Sequence, residues 1–203
     1  FDTNKILIVL QRVTQNIDEQ AILLQDLVDE VLKILYDGAT TSDIEEALIL
    51  AATAFIERDP LYSKIATGLL LQKLTKEVIG TSVNHFSYAS SYRTSFITNM
   101  QEGVKQGILD RRLLSFDLER LAKVMVFERD HLFEYLGLRT LFERYFLKIN
   151  YKRSELPQTF FMRVAMGLAL LEKEKNERAE EFYHLISTFK FMPSTPTLLH
   201  AGL

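Results

Sequence analysis

Two Glu-x-x-His pairs, Glu128 with His131 and Glu181 with His184, are the residues whose types and spacing most directly suggest chemistry. Positions i and i+3 share a helix face. Two such pairs, with a lone glutamate on each of two other helices, build the di-iron site of ferritin-like bundles. Glu77 and Glu102 are the nominees for those further acids. Each pair sits among Arg, Asp or Tyr rather than on a clean inward stripe, so solvated helix faces are the plainer reading. His85 and His200 complete the four histidines, which are scattered without a pattern that would support a nucleophile triad. Gly103 and Gly107 are followed by no Lys-Ser or Lys-Thr, so they make no phosphate loop of the P-loop type.

A second constellation is Pro193-Ser194-Thr195-Pro196-Thr197. Hydroxyls and backbone N–H groups held between prolines suit phosphate oxygens. The prolines also limit the freedom lost on binding. The competing reading is a turn leading into a strand.

Composition narrows the classes. Apolar residues make up 47% of the 203, enough for a substantial core. The 24 basic residues are offset by 27 acidic ones, so no broad basic surface for nucleic acid is expected. There is no cysteine, which removes disulfides, thiolate metal sites and thiol catalysis from this segment. No apolar run reaches the length of a membrane span. No signal peptide opens the chain, and both ends read as cut. A cytoplasmic protein that does not contact membrane is the default expectation.

The elements that must position these residues read as helices in close succession. Ile6, Leu10 and Val13 share one face, and Leu24, Leu27, Val28, Val31 and Leu35 another, ending at Asp37-Gly38. Ser42 and Glu45 have the spacing of a capping box ahead of Ile44, Ala47, Leu48, Ala51 and Phe55. Asp59-Pro60 breaks the chain before a fourth helix carrying Ile65 and Leu69. Gly80-Thr81-Ser82 is the expected boundary, giving domains at 1–80 and 81–203. Phe96, Met100 and Val104 form the next stripe, then Leu118, Leu121, Ala122 and Met125, capped by Ser115 or Asp117. A polar stretch from Asn150 to Pro157 precedes an apolar run from Phe160 to Leu171. Strand-like alternation is scarce, so the expected fold class is mostly α.

Three stretches together resemble the large subunit of ribonucleotide reductases. Phe1 to Lys5, Tyr36 to Ile44 and Arg58-Asp59-Pro60-Leu61-Tyr62 are similar to the ATP-cone, a small helical regulatory domain. Arg129-Asp130, Phe133, Tyr135, Gly137, Thr140-Leu141 and Arg144-Tyr145 look like the helical entry to that subunit. Glu155 to Ala165 and Met192 to Leu198 look like the segments just before its barrel. The resemblance covers essentially the whole chain in the family's order.

The resemblance implies a small helical cone at 1–80, then the helical N-terminal domain at 81–203, with the barrel absent. It implies reduction of ribonucleotides to deoxyribonucleotides by the parent protein through thiyl-radical chemistry. The radical would come from a small subunit or other generator, and the large subunits would form homo-oligomers. ATP or dATP in the cone would be the allosteric effectors. Its cysteines would lie in the barrel and tail, leaving this segment regulation and part of the substrate pocket, with no catalytic residue and no metal. Lys5, Thr41 and Lys76 match positions that contact the effector: two charges for a triphosphate and a hydroxyl at a helix start. Without the resemblance they read as exposed lysines and an N-cap threonine. Thr195, with Ser194 beside it, matches the substrate-contacting position. Two departures stand out: Gly68 replaces a frequent Arg, and no Lys-Arg-Asp-Gly-like element precedes Phe1. The run from Phe160 to Leu171 is expected to pack on the barrel and to lie exposed without it. The alternatives are a helical di-iron protein and a nucleotide-free helical module that binds partner subunits.

Overall fold

The computed structural model describes residues 3–15, 24–80 and 85–203, apart from the side chains of Thr3, His85 and Phe86. Thr81-Ser82 and the His85 side chain therefore lie outside the described residues. The fold is mostly α, as the periodicity predicts. The helices are α1 (Thr3–Thr14), α2 (Leu24–Ile34), α3 (Thr41–Ala54), α4 (Leu61–Val78), α5 (His85–Lys105), α6 (Leu118–Val124), α7 (Tyr135–Arg144), α8 (Pro157–Leu168), α9 (Lys175–Ser187) and α10 (Thr195–His200). Short 3-10 helices span Arg111–Ser115 and Phe127–Leu132.

Packing divides the chain into two compact units, one of residues 1–73 with 133–139, the other of 74–132 with 140–203. The division thus falls inside α4 rather than at the Gly80 turn. In the first unit the expected stripes face inward: Ile6 and Leu10 on α1, Leu27, Val28 and Val31 on α2, Ala47, Leu48 and Ala51 on α3 are all buried. Segment 133–139 is tied into this unit by charge. Glu46 accepts from Lys73 at 2.7 Å and from Arg139 at 3.1 Å. Ser63 donates to Glu134 at 2.6 Å and accepts from the Tyr135 N–H at 3.1 Å.

Two local expectations are corrected here. Ser42 and Glu45 do not cap α3. Thr40 is the N-cap, and its hydroxyl accepts from the Asp43 N–H while the Asp43 carboxylate accepts from the Thr40 N–H at 2.8 Å. Both pairs have the required spacing, but Tyr36 donates a further bond to Asp43 at 3.0 Å, which favours the earlier start. These bonds, the Thr40 backbone N–H foremost, hold the Asp43 carboxyl below the usual carboxylate range.

At Gly68, α4 touches α1. A Cβ there would lie 2.6 Å from Val13 Cγ1, and a β-branched neighbour has little freedom to move aside. An arginine at this position would require α1 to shift.

The second correction concerns the apolar run. Phe160, Phe161, Met162, Val164, Ala165 and Met166 are fully buried inside the second unit, with no barrel present. Leu168 and Leu171 are exposed, at 42% and 89%, and Leu170 is half-buried. Helix α9 supplies the cover through Tyr183 and Ile186, and Phe146 meets the Phe160 ring edge-on at 5.5 Å. Pro157 opens α8, and the Leu156 N–H donates to the Thr159 hydroxyl at 2.9 Å.

The polar stretch before α8 holds the one sheet among the described residues. It is an antiparallel hairpin pairing Lys148 with Arg153 and Ile149 with Lys152. Asn150 and Tyr151 turn it with φ of 51° and 64°, the left-handed pair that a two-residue hairpin loop demands. Of the two caps weighed for α6, Asp117 is the one used, accepting from the Arg120 N–H at 3.0 Å.

Candidate functional site

Ser194 and Thr195 lie at the start of α10, both exposed, and Pro193 just before them is buried. The segment is the mouth of a short helix rather than a turn into a strand, with Pro196 in the first helical turn, where its missing N–H has no partner to lose. The Thr195 hydroxyl lies 2.9 Å from the Tyr145 hydroxyl. Ser194 pairs with the Thr197 hydroxyl at 3.4 Å. The structure thus presents three side-chain hydroxyls on one short stretch.

A buried ion pair fixes the far end of α10. Arg163, wholly buried on α8, donates to both oxygens of Glu155 and, at 2.7 Å, to the Ala201 carbonyl. Glu155 also accepts from the Leu147 N–H at 2.8 Å. One guanidinium therefore joins α8, the turn after α10 and, through Glu155, the hairpin. Gly167 makes the approach possible, since a Cβ there would lie 2.4 Å from the Gly202 nitrogen. Any side chain would collide with backbone, which cannot rotate away.

A second buried polar network lies in the same unit. Asp130 is 3% exposed and accepts from Tyr92 Oη at 3.0 Å and from Gln158 Nε2 at 2.8 Å. Tyr92 accepts from the Gln158 N–H at 3.0 Å. Tyr183 donates to Gln158 Oε1 at 2.8 Å and accepts from the Val126 N–H at 2.9 Å. Both chains of hydrogen bonds begin at a backbone N–H and end on the Asp130 carboxylate. Burial pushes the Asp130 carboxyl up to about 7, against the pull of Gln158 and Tyr92. Burial, and then the Asp130 charge, also raises the Tyr92 and Tyr88 phenols.

The two Glu-x-x-His motifs do meet, but not as metal ligands. Arg129, between Glu128 and His131, donates to His184 Nδ1 at 3.1 Å and to the Ser187 hydroxyl at 2.6 Å. Burial and the Arg129 charge lower the His184 imidazole below its usual range. Among the described residues no three acid, His or Cys side chains gather as an ion site. The nominated acids have other partners: Glu77 pairs with Arg153 at 3.0 Å, and Glu102 accepts from Gln106 at 2.8 Å.

Of the residues expected to contact an effector, Lys5 on α1 and Thr41 on α3 are exposed within the first unit. Thr41 occupies the first helical position, one residue past the N-cap. Lys76 is half-buried in the last turn of α4 and belongs to the second unit. In the sequence, Asp130, Tyr145 and Arg163 stand out only as members of the stretches that carry the family resemblance. Arg163 carried a usable signal, since an arginine inside an apolar run is seldom buried without a partner.

Residues 131–203 match the family model for the ribonucleotide reductase all-alpha domain. The chain is 40% identical over 177 residues, 87% of its length, to the "ribonucleoside-diphosphate reductase subunit alpha" of Chlamydia muridarum. It is 40% identical over 168 residues to the protein of that name in Helicobacter pylori, covering 81% of the chain. The chain belongs to the ribonucleotide reductase large-subunit family. More distant relatives align over nearly all of it, as in the 27% identity over 199 residues, 98% of the chain, to the "ribonucleoside-diphosphate reductase large subunit" of Danio rerio. The chain spans 17% of the Chlamydia relative, 20% of the Helicobacter relative and 24% of the Danio relative. No helix among the described residues is long and apolar enough to cross a membrane.

Proposed function

We propose that this chain belongs to a cytoplasmic enzyme reducing ribonucleoside diphosphates to deoxyribonucleotides, and that it supplies effector regulation and part of the substrate pocket. The observation that carries the substrate role is the exposed Thr195 hydroxyl. It is held by Tyr145 on a segment whose other end is anchored by a wholly buried arginine. Thr195, with Ser194 beside it, contacts the diphosphate or ribose of the substrate. The catalytic cysteines lie elsewhere in the parent protein, which works with a radical-generating small subunit and as a homo-oligomer. Neither nucleic acid nor membrane is a partner.

Thr195→Val in the full-length protein keeps the shape and removes the hydroxyl. Losing a hydrogen bond to a charged ligand should weaken substrate binding by about 1.5–3 kcal/mol, roughly ten-fold or more, with fold and effector binding intact. Unchanged kinetics would reduce the segment to a structural turn.

Regulation is assigned to residues 1–80 as an ATP-cone, with Lys5, Thr41 and Lys76 toward ATP or dATP. A second reading, a nucleotide-free module that binds partner subunits, is favoured by Gly68, because its contact with Val13 leaves no space for the arginine frequent in the family. Calorimetry on the full-length protein separates the two. The proposal expects adenine-nucleotide binding that Lys76→Ala weakens about ten-fold or more, as for a lost charge-assisted phosphate contact. No binding, or no change in the variant, would favour the second reading.

A further inference from the structure

We infer that Tyr145 is a positioning residue that sets the direction of the Thr195 hydroxyl, making Thr195 a hydrogen-bond donor to an anionic substrate oxygen. The inference rests on the substrate role proposed for Thr195. Tyr145 follows α7 directly, and its N–H still donates to the Leu141 carbonyl at 3.0 Å. Its ring stands edge-on to Phe160 at 6.5 Å and 75°, and Phe160 is wholly buried. The phenol therefore reaches Thr195 from a ring fixed at both backbone and face. Ser194 and Thr197 pair with each other.

A threonine hydroxyl has one proton and two lone pairs, and its proton turns to suit its surroundings. A phenolic O–H is the stronger donor of the two, so the favoured direction runs from Tyr145 to Thr195. That bond occupies a lone pair of Thr195 and leaves its proton for a ligand. A hydroxyl that accepts one bond also becomes a better donor in the next. The matching ligand atom is an acceptor carrying negative charge, such as a phosphate oxygen of a ribonucleoside diphosphate. With the direction reversed, Thr195 would only accept, and a phosphate oxygen would meet a lone pair.

The test uses the full-length protein and cytidine diphosphate as probe. Tyr145→Phe keeps the ring against Phe160 and removes the hydroxyl. Its dissociation constant and KM should rise roughly two- to ten-fold, as for one neutral hydrogen bond, with kcat little changed. In a Thr195→Val background the same change should add nothing, because its effect passes through the missing hydroxyl. In a Thr195→Ser background, which restores the hydroxyl, the dependence on Tyr145 should return. If Thr195→Val weakens binding but Tyr145→Phe does not, the positioning role is overturned while the substrate role of Thr195 stands. Equal losses from Tyr145→Phe with and without the Thr195 hydroxyl would also overturn it, since they would mark packing alone. If Thr195→Val changes nothing, both readings fall.

Discussion

Replacing Arg163 with methionine lowers the stability of the chain by about 3–5 kcal/mol, the range for removing one member of a buried ion pair. Methionine fills much of the same space, so the loss is electrostatic rather than a cavity. Glu155 would stay buried with the Leu147 N–H still donating to it, and the Ala201 carbonyl would lose the Arg163 donor. The pairing of Arg163 with Glu155 is not itself the source of great stability, because both charges were taken out of water to form it. Hence Arg163→Met with Glu155→Gln should recover a large part of what the single variant loses. Urea unfolding measures both. A single-variant loss below about 1 kcal/mol would show that Arg163 does not hold the turn after α10.

Asp130→Asn flattens the pH dependence of stability between about pH 4 and pH 7. The Asp130 carboxyl titrates near 7 in the folded chain and at 3.8 as a free side chain, so the folded state holds the extra proton across that interval. Its contribution is fully present below 3.8 and is lost as pH rises through about 7. At 1.36 kcal/mol for each pH unit, the loss is on the order of 4 kcal/mol, as an upper figure. The groups coupled to it are Tyr88 and Tyr92 on α5, Glu128 on its own 3-10 helix, Gln158 on α8 and Tyr183 on α9. The Glu128 charge adds to the upward shift. Asparagine is neutral at every pH; its Oδ1 can still accept from Gln158 Nε2, while the Tyr92 hydroxyl loses its acceptor, a cost that does not vary with pH. Thermal unfolding from pH 4 to 8 should show Tm falling with pH more steeply in the parent chain than in the variant. Parallel curves would mean that Asp130 stays ionised throughout.

Helices were the legible part of this sequence because a 3.6-residue apolar period needs only neighbours on the same segment to be read. Leu27, Val28 and Val31 show it: each falls on the predicted face and each is buried. What escaped depends on partners distant in sequence. The α3 cap could be placed at two positions by spacing, and Tyr36 decides between them. The hairpin at Lys148–Arg153 has two-residue strands and no glycine in its turn, so neither alternation nor turn chemistry announces it. The buried state of α8 follows from α9 packing over it, which no local pattern in 160–171 reveals. In the candidate site, Ser194 and Thr195 were readable from hydroxyls between prolines and from family resemblance. Tyr145 was not, because its hydroxyl gains meaning only when α7 and α10 bring it within 2.9 Å of Thr195.

The central claim is tested most directly by assaying deoxyribonucleotide formation from cytidine diphosphate by the full-length protein, supplied with the radical-generating subunit proposed for it, as ATP is exchanged for dATP. The account predicts turnover with ATP that falls as dATP replaces it, and a Thr195→Val variant with substrate affinity reduced roughly ten-fold or more. A full-length protein that forms no deoxyribonucleotide, or one indifferent to both effectors and to the loss of the Thr195 hydroxyl, would contradict it.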